Sequence, residues 1–291
     1  MKSKLFKNER QPGKVIVMTF IILGFLFITG SLSAQNNVKL AYNMPAGKTL
    51  NYKSVTSISQ LMDIQGQSME VMVNTSFGFR VKMVEKAAGN LKINVIVDSL
   101  TMSIDAMGGL TNSRVREIEN KSFNMIISPV GEIVDLSEAE NIKFNVESQG
   151  TSNLSQTFRN VFPVLPDKAV KPGDTWSSVD TIRSAASAAS TLQVLESSYR
   201  YDDVEKVNGI DCAKISSSIS GTAETRAQNM GMDIFYSGPV NGQVLMYFAL
   251  KEGYFMKQDI STTMNGNIEI SGAENMSFPI TVNTATTTEA R

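Results

Sequence analysis

The feature that most constrains the fold is a strict alternation of apolar and polar side chains over residues 71–83. Val71 and Phe77 belong to the apolar set, and polar residues such as Asn74 and Arg80 lie between its members. Successive side chains of a β-strand point to opposite faces, so this period of two predicts a long, half-buried antiparallel strand.

The next apolar run changes phase. Odd positions are apolar over residues 91–97, whereas even positions are apolar over residues 100–104. A slip of one residue turns every following side chain to the other face unless a β-bulge absorbs it. The sequence therefore predicts a bulge or a sharp bend at Asp98 and Ser99. Alternation over residues 244–250 and 254–270 extends the strand prediction into the C-terminal half.

Helical signals are confined to the middle of the chain. Ser137 and Glu140 fit a capping box, in which a serine side chain and a glutamate three residues later satisfy free backbone N–H groups. Apolar residues at Leu154, Phe158 and Phe162 follow helical spacing. A short helical pair is therefore expected between two strand-rich regions.

Three glycine-containing segments recur in the same order at nearly constant spacing. The pairs are Gly47 and Gly173 (126 residues apart), Gly89 and Gly209 (120), and Gly131 and Gly253 (122). The alternative is coincidence, but a duplication of about 120 residues explains all three pairs. The sequence thus predicts a mainly β fold, in which two pseudo-repeated antiparallel units form an open half-barrel or sandwich with a short helical pair between them.

The N-terminal residues predict the cellular location of the protein. Basic residues precede an apolar run over residues 15–27, and small residues lead to Ala34. This order is typical of a secretory signal peptide, here cleaved near Ala34, and an uncleaved N-terminal anchor is the alternative. We expect export to the periplasm or the extracellular space.

These patterns give the expected domain boundaries. The expected segments are a signal peptide (1–34), a first β unit (35–136), a helical connection (137–166), a second β unit (167–283) and a disordered polar tail (284–291). Residues 35–283 are expected to form one compact body.

Composition excludes several classes of chemistry. The chain has no histidine, so Ser-His-Asp, Cys-His and histidine-ligated metal sites are excluded. Without residues 1–34 it carries 22 basic and 27 acidic residues, which argues against nucleic acid as a partner. Ala46-Gly47-Lys48-Thr49 mimics the end of a phosphate loop, but Tyr42 stands five residues before Gly47, where that loop needs glycine. We expect no cofactor, no metal and no enzymatic activity.

Other chemistry-bearing residues have structural interpretations. A carboxylate-dependent hydrolase needs two acids close together, and the spacing of the available acids selects no pair. The available acids are Asp98, Asp105, Asp174, Asp202, Asp203 and Asp233. The single cysteine, Cys212, is predicted to be a buried thiol, and Trp176 to be a core anchor with ligand stacking as the alternative.

The candidate ligand-binding residues are the apolar members of the first long strands. They are Val71, Val73, Phe77, Phe79, Val81, Leu91, Ile93 and Val95. If the sheet curls, this stripe lines an apolar cavity that holds a lipid or another hydrophobic molecule. The alternative is that the stripe fills a closed core or packs against the helix over residues 154–162.

The segment around Trp176 resembles a family of exported bacterial proteins of unknown function. The resemblance is carried by Leu165-Pro166, Lys168, Val170-Lys171 and Gly173-Asp174-x-Trp176, followed by the Val207-Asn208-Gly209 turn. It implies a β-rich fold and supplies no catalytic residues. A more distant likeness, in architecture alone, is to the half-barrel of periplasmic lipoprotein and lipid carriers.

The sequence therefore favours an exported, non-enzymatic binding or scaffold protein whose partner is a hydrophobic small molecule or another envelope protein. The alternatives are a carboxylate-dependent hydrolase of the envelope and an envelope assembly partner.

Overall fold

Strands account for most of the computed structural model, which describes residues 37–64, 66–106, 108–146, 150–185, 189–229, 232–272 and 275–291. The predicted signal peptide lies outside these residues. The strands are β1 (Thr49–Ile64), β2 (Gln67–Ala87), β3 (Asn90–Ala106), β4 (Gly109–Arg114), β5 (Ser122–Ile127), β6 (Ile133–Asp135), β7 (Lys143–Val146), β8 (Gly150–Asn153), β9 (Thr175–Ala185), β10 (Ala189–Val207), β11 (Ile210–Asn229), β12 (Met232–Ala249), β13 (Tyr254–Ser271) and β14 (Met276–Ala290). The helices are α1 (Ser137–Glu140) and α2 (Leu154–Phe158).

One antiparallel sheet contains twelve of the described strands. Its order is β6-β5-β3-β2-β1-β14-β13-β12-β11-β10-β9, and β4 pairs with β3 beside this path. The first and last long strands are neighbours, so the N-terminal and C-terminal halves form one continuous surface. The sheet ends at β6 and β9 and does not close into a barrel, which confirms the predicted fold class of an open antiparallel β structure.

Two-residue turns connect two of the long hairpins. Ala88 and Gly89 join β2 to β3, and Asn208 and Gly209 join β10 to β11, all four with positive φ. Such turns match the right-handed twist of the strands they connect, and they favour asparagine and glycine. Both predicted hairpins are confirmed.

The predicted bulge is confirmed at Asp98. Gly78 pairs with Ser99 and Phe79 pairs with Val97, which leaves Asp98 as the extra residue on β3. The bulge keeps Leu100 on the same face as Val97 despite the change of phase, because it absorbs the one-residue slip.

The inner face of the sheet divides into two ends. The proximal end, near the turns at Gly89 and Gly209, carries the main core. The distal end carries a small cluster of four buried residues, which are Ala223, Val240, Met264 and Ile280.

A second layer covers the proximal end. It consists of residues 37–48, 136–146 and 150–170, which contribute Tyr42, Phe158 and Leu165 to the main core. The backbone N–H of Tyr42 donates to Pro129 O at 2.7 Å, and that of Asn43 donates to Gly253 O at 2.8 Å. The N-terminal segment therefore ties the two halves of the sheet together.

The connection between the halves contains more than the predicted helical pair. A two-stranded hairpin, β7 with β8, separates α1 from α2, and α2 ends at Phe158 rather than at Phe162. The predicted capping box is wrong, because Ser137 lies inside α1 and Leu136 occupies the cap position without a side-chain hydrogen bond. Asn153 caps α2 instead, accepting a hydrogen bond from the Gln156 N–H.

The predicted disordered tail is also wrong. Residues 284–290 belong to β14 and pair with β1, and residues 284–289 also pair with β13 on the other side. Threonine favours strands, and Thr288 is buried on the inner face. The polar side chains led to the prediction of disorder, but the backbone of this segment forms hydrogen bonds with the two neighbouring strands.

Candidate functional site

A cavity of about 340 Å³ lies on the inner face, between the sheet and the segment that contains α2 and the β7–β8 hairpin. Its lining residues are Ser54, Thr56, Thr75, Phe77, Phe79, Leu100, Met102, Phe144, Gly150, Ser152, Thr157, Val161 and Thr288. No charged side chain is among these described lining residues. The cavity is therefore suited to a neutral, largely apolar group.

Aromatic rings form one side of the cavity. Phe77 and Phe79 on β2 stack with ring centroids 5.2 Å apart, and the edge of Phe158 meets them at 5.4 and 5.2 Å. Phe144 approaches from the β7–β8 hairpin and is itself buried. Edge-to-face and offset arrangements of this kind are favourable for aromatic pairs, so the phenylalanine rings on β2 and α2 stabilise one another.

Hydroxyl groups form the other side. The Thr288 hydroxyl donates to Ser54 Oγ at 2.9 Å, and the hydroxyls of Thr56 and Thr286 are also 2.9 Å apart. A hydroxyl has one donor hydrogen and two acceptor lone pairs, so these paired groups retain capacity for another partner. The cavity thus has an aromatic wall and a weakly polar wall.

The structure separates the eight predicted site residues into three groups. Phe77 and Phe79 line the cavity. Val71 and Val73 lie half-buried on the same face, farther toward the distal end, and do not line it.

The remaining four fill the closed core. Val81, Leu91, Ile93 and Val95 are at most 2% exposed. Their assignment as cavity-lining residues is corrected, since they belong to the main core and none of them is among the residues that line the cavity.

Sequence reasoning missed the hydroxyl wall and the roof of the cavity, which is formed by α2 and the β7–β8 hairpin. Even-numbered positions of β1 carry the inner-face side chains, beginning with Leu50 and Tyr52 and continuing as Ser54 and Thr56. A change from large apolar to small hydroxylated residues within one phase was the available signal. Nothing in the local sequence around Phe144 or Thr157 indicated that they lie opposite β2.

The acids considered for hydrolysis are mostly engaged by their neighbours. Asp98 forms an ion pair with Arg80 at 2.8 Å, and Asp202 lies 3.6 Å from Arg200. Asp174 accepts from the Lys171 N–H in a turn, and Asp203 from the Val204 N–H. These contacts are structural ones at turns, bulges and strand surfaces.

Cys212 and Trp176, whose roles the sequence analysis also predicted, lie at the proximal end. Cys212 is fully buried, as predicted, and its burial raises the pKa of the thiol to about 11. Trp176 is partly buried against the main core and stacks on Tyr199 with ring centroids 5.4 Å apart. This contact agrees with its interpretation as a core anchor.

Within the described ranges, no group of three or more Cys, Asp or Glu side chains is arranged to hold a metal ion. In the same part of the chain, no helix has the length and apolar character needed to cross a membrane.

Comparisons with known proteins give distant likenesses only. No family model matches the chain, and no curated protein matches it. Among solved structures it is similar to Pseudomonas aeruginosa OccK5, at 6% identity and a TM-score of 0.29, covering 86% of this chain and 100% of that one. It is also similar to a protein from Bacteroides fragilis described as exported with a YmcC-like fold, at 10% identity and a TM-score of 0.23, covering 84% and 97%. A third is a protein from Parabacteroides distasonis described as a lipoprotein, at 10% identity and a TM-score of 0.25, covering 85% and 98%. Scores this low support no argument about fold or function, and the resemblance to a family of exported proteins stays a prediction.

Proposed function

We propose that this chain is an exported, non-enzymatic binding protein that holds a hydrophobic small molecule in the cavity beneath α2. The cavity itself is the observation that carries the proposal. It joins an aromatic wall, a hydroxyl wall and a roof supplied by a separate segment of the chain.

The size of the cavity limits the ligand. Its volume of about 340 Å³ is near the lower end of the roughly 300–1,000 Å³ typical of small-molecule sites. One acyl chain or one compact ring system fits this volume better than a two-chain lipid does. Burial of such a group against Phe77, Phe79 and Phe144 supplies the hydrophobic driving force.

The direct test is the binding of a neutral, apolar fluorescent probe, N-phenyl-1-naphthylamine, to the purified protein. We expect saturable binding to the native chain. Thr56→Phe places a ring in the cavity and is expected to abolish this binding while the chain remains folded by circular dichroism.

Thr284→Phe is the matched control, because Thr284 is a half-buried inner-face threonine outside the cavity lining. It should leave probe binding unchanged. A native chain that does not bind the probe, or equal binding by the two variants, would contradict the proposal.

A further inference from the structure

The strand at one end of the large sheet has a free edge. β9 pairs with β10 over all of its 11 residues without a register shift, and no other described strand pairs with it. One row of its backbone N–H and C=O groups therefore points away from the sheet. An edge of this kind is a template on which another strand can pair.

The opposite end of the sheet is protected. Its last strand, β6, is only 3 residues long. Beyond β6, the backbone N–H of Asn124 on β5 donates to the Glu138 carboxylate at 2.7 Å. Short edge strands and charged side chains at an edge prevent pairing with another chain. In the described part of the chain, no side chain accepts a hydrogen bond from a backbone N–H of β9.

β9 carries few of the features that protect an edge. It contains no proline and no lysine. Val179, in the middle of the strand, is 70% exposed on the outer face of the sheet, opposite the face that carries the main core. Asp180 is the one acidic residue of β9 and lies on the inner face. A charge at this position restricts the registers in which a partner strand can pair.

The helix α2 limits the free part of this edge. Gln156 and Arg159 line one cleft together with Arg183, so α2 approaches β9 near its C-terminal end. Residues 176–182 lie before that point. A partner strand therefore has room for roughly seven residues, or about 24 Å at the rise of an antiparallel strand.

A second copy of the same strand fits this edge. In an antiparallel pair around a two-fold axis, opposed residues lie on the same face and are related symmetrically about the central residue. Centring the pair on Val179 brings the two exposed valines together. The same register sets the Ser178 hydroxyl opposite the Asp180 carboxylate, and it sets Trp176 opposite Ile182.

Neighbouring registers give Asp180 an unfavourable partner. Centring the pair on Asp180 itself opposes two carboxylates, which is destabilising. Centring it on Ser178 opposes Asp180 to Trp176, and centring it on Thr181 opposes Asp180 to Ile182. Among these four registers, only the one centred on Val179 gives the carboxylate a hydrogen-bond donor.

We propose that two copies of this chain associate through antiparallel pairing of their β9 strands, centred on Val179. The large sheet then continues from one copy into the other. Backbone hydrogen bonds supply the pairing, and the opposed valines and the Trp176–Ile182 contacts bury apolar surface. This association depends on β9 alone and does not require a ligand in the cavity.

The first test is sedimentation velocity of the purified native chain over a roughly hundredfold range of concentration, and a dimer is expected at the upper end. Val179→Lys opposes two ammonium groups and should weaken the dimer roughly tenfold or more. Val84→Lys, at an exposed valine on β2, is the matched control and should leave the dimer unchanged. Circular dichroism checks that both variants are folded.

Engineered cysteines test the register. Val179→Cys is expected to form an intermolecular disulfide on mild oxidation, because opposed Cα atoms in an antiparallel pair are about 4.5–5.5 Å apart. Thr181→Cys, on the same exposed face, is the matched control. Its copy lies four residues along the partner strand, about 14 Å away, beyond the reach of a disulfide. The native Cys212 is buried and does not compete.

Three results would overturn this inference. A native chain that remains a monomer at every concentration would do so, and would leave the edge of β9 to an extended segment of a different protein. A dimer that Val179→Lys does not weaken would exclude pairing through β9. Equal crosslinking of the two cysteine variants, or crosslinking of neither, would exclude the register centred on Val179.

Discussion

The proximal and distal ends of the sheet are built from the same long strands, yet they bury their inner faces to very different extents. At the proximal end Phe79, Val81 and Val95 are fully buried beneath the second layer. Val71 and Val73 lie on β2, as Phe79 and Val81 do, but they are nearer the distal end and are only half-buried. Alternation selects which side chains share a face, but a face becomes a core only where another layer covers it.

The cavity lies where this second layer stops fitting closely against the sheet. Phe158 packs on Phe77, Phe79 and Phe123, whereas Thr157 and Val161 stand away from β1 and β2 and leave space. The change from tyrosine at position 52 to serine at position 54 removes the bulk that would fill that space.

The largest effect is expected from Phe158→Ala. Its ring touches three other phenylalanines of the main core, so its loss should lower the free energy of unfolding by about 3–5 kcal/mol. Urea unfolding monitored by circular dichroism measures the change. A loss below about 1 kcal/mol would show that α2 does not stabilise the proximal end.

A matched pair of valines compares the two ends directly. Val95 and Val240 are both buried on inner-face strand positions, one in each cluster. We expect Val95→Ala to cost about 2–3 kcal/mol and Val240→Ala about 1 kcal/mol, because the distal site has fewer neighbours and collapses more easily. Equal losses in urea unfolding would remove the distinction between the ends.

Tyr42→Phe tests how the N-terminal segment is fixed to the rest of the second layer. The buried Tyr42 hydroxyl donates to Pro163 O at 2.8 Å. Its removal leaves that carbonyl without this donor, and we expect a loss of about 1–2 kcal/mol in thermal or urea unfolding. Ser59→Ala, which removes an exposed hydroxyl hydrogen bond to Glu70, is the control and should cost much less.

A further effect is a pH dependence that arises from Cys212. The thiol has an ordinary pKa of 9.0, and burial raises it to about 11 in the folded chain. Between these values the unfolded chain has released a proton that the folded chain retains, so the free energy of unfolding falls as the pH rises from about 9 to 11. Cys212→Ala should make this fall shallower when urea unfolding is compared at pH 8 and pH 10.5. An unchanged pH dependence would indicate that the thiol is accessible to solvent in the folded state.

Much of the fold was predictable because it depends on local geometry. The phase change at Asp98 required a bulge, and the glycines at 89 and 209 required tight turns. The caps and the tail were less predictable. Leu136, and not Ser137, occupies the cap position of α1. Thr284 lies in a strand because β1 and β13 pair with it on its two sides.

The sequence by itself determined that the chain forms antiparallel strands, which side chains share each face, and where the hairpins turn. These features follow from the period of side-chain direction and from the backbone conformations open to each residue. The tertiary structure alone decided that Val81, Leu91, Ile93 and Val95 are core while Phe77 and Phe79 border a cavity. That division depends on where residues 136–146 and 150–170 lie against the sheet, and a pattern of alternation contains no information about contacts with a distant segment.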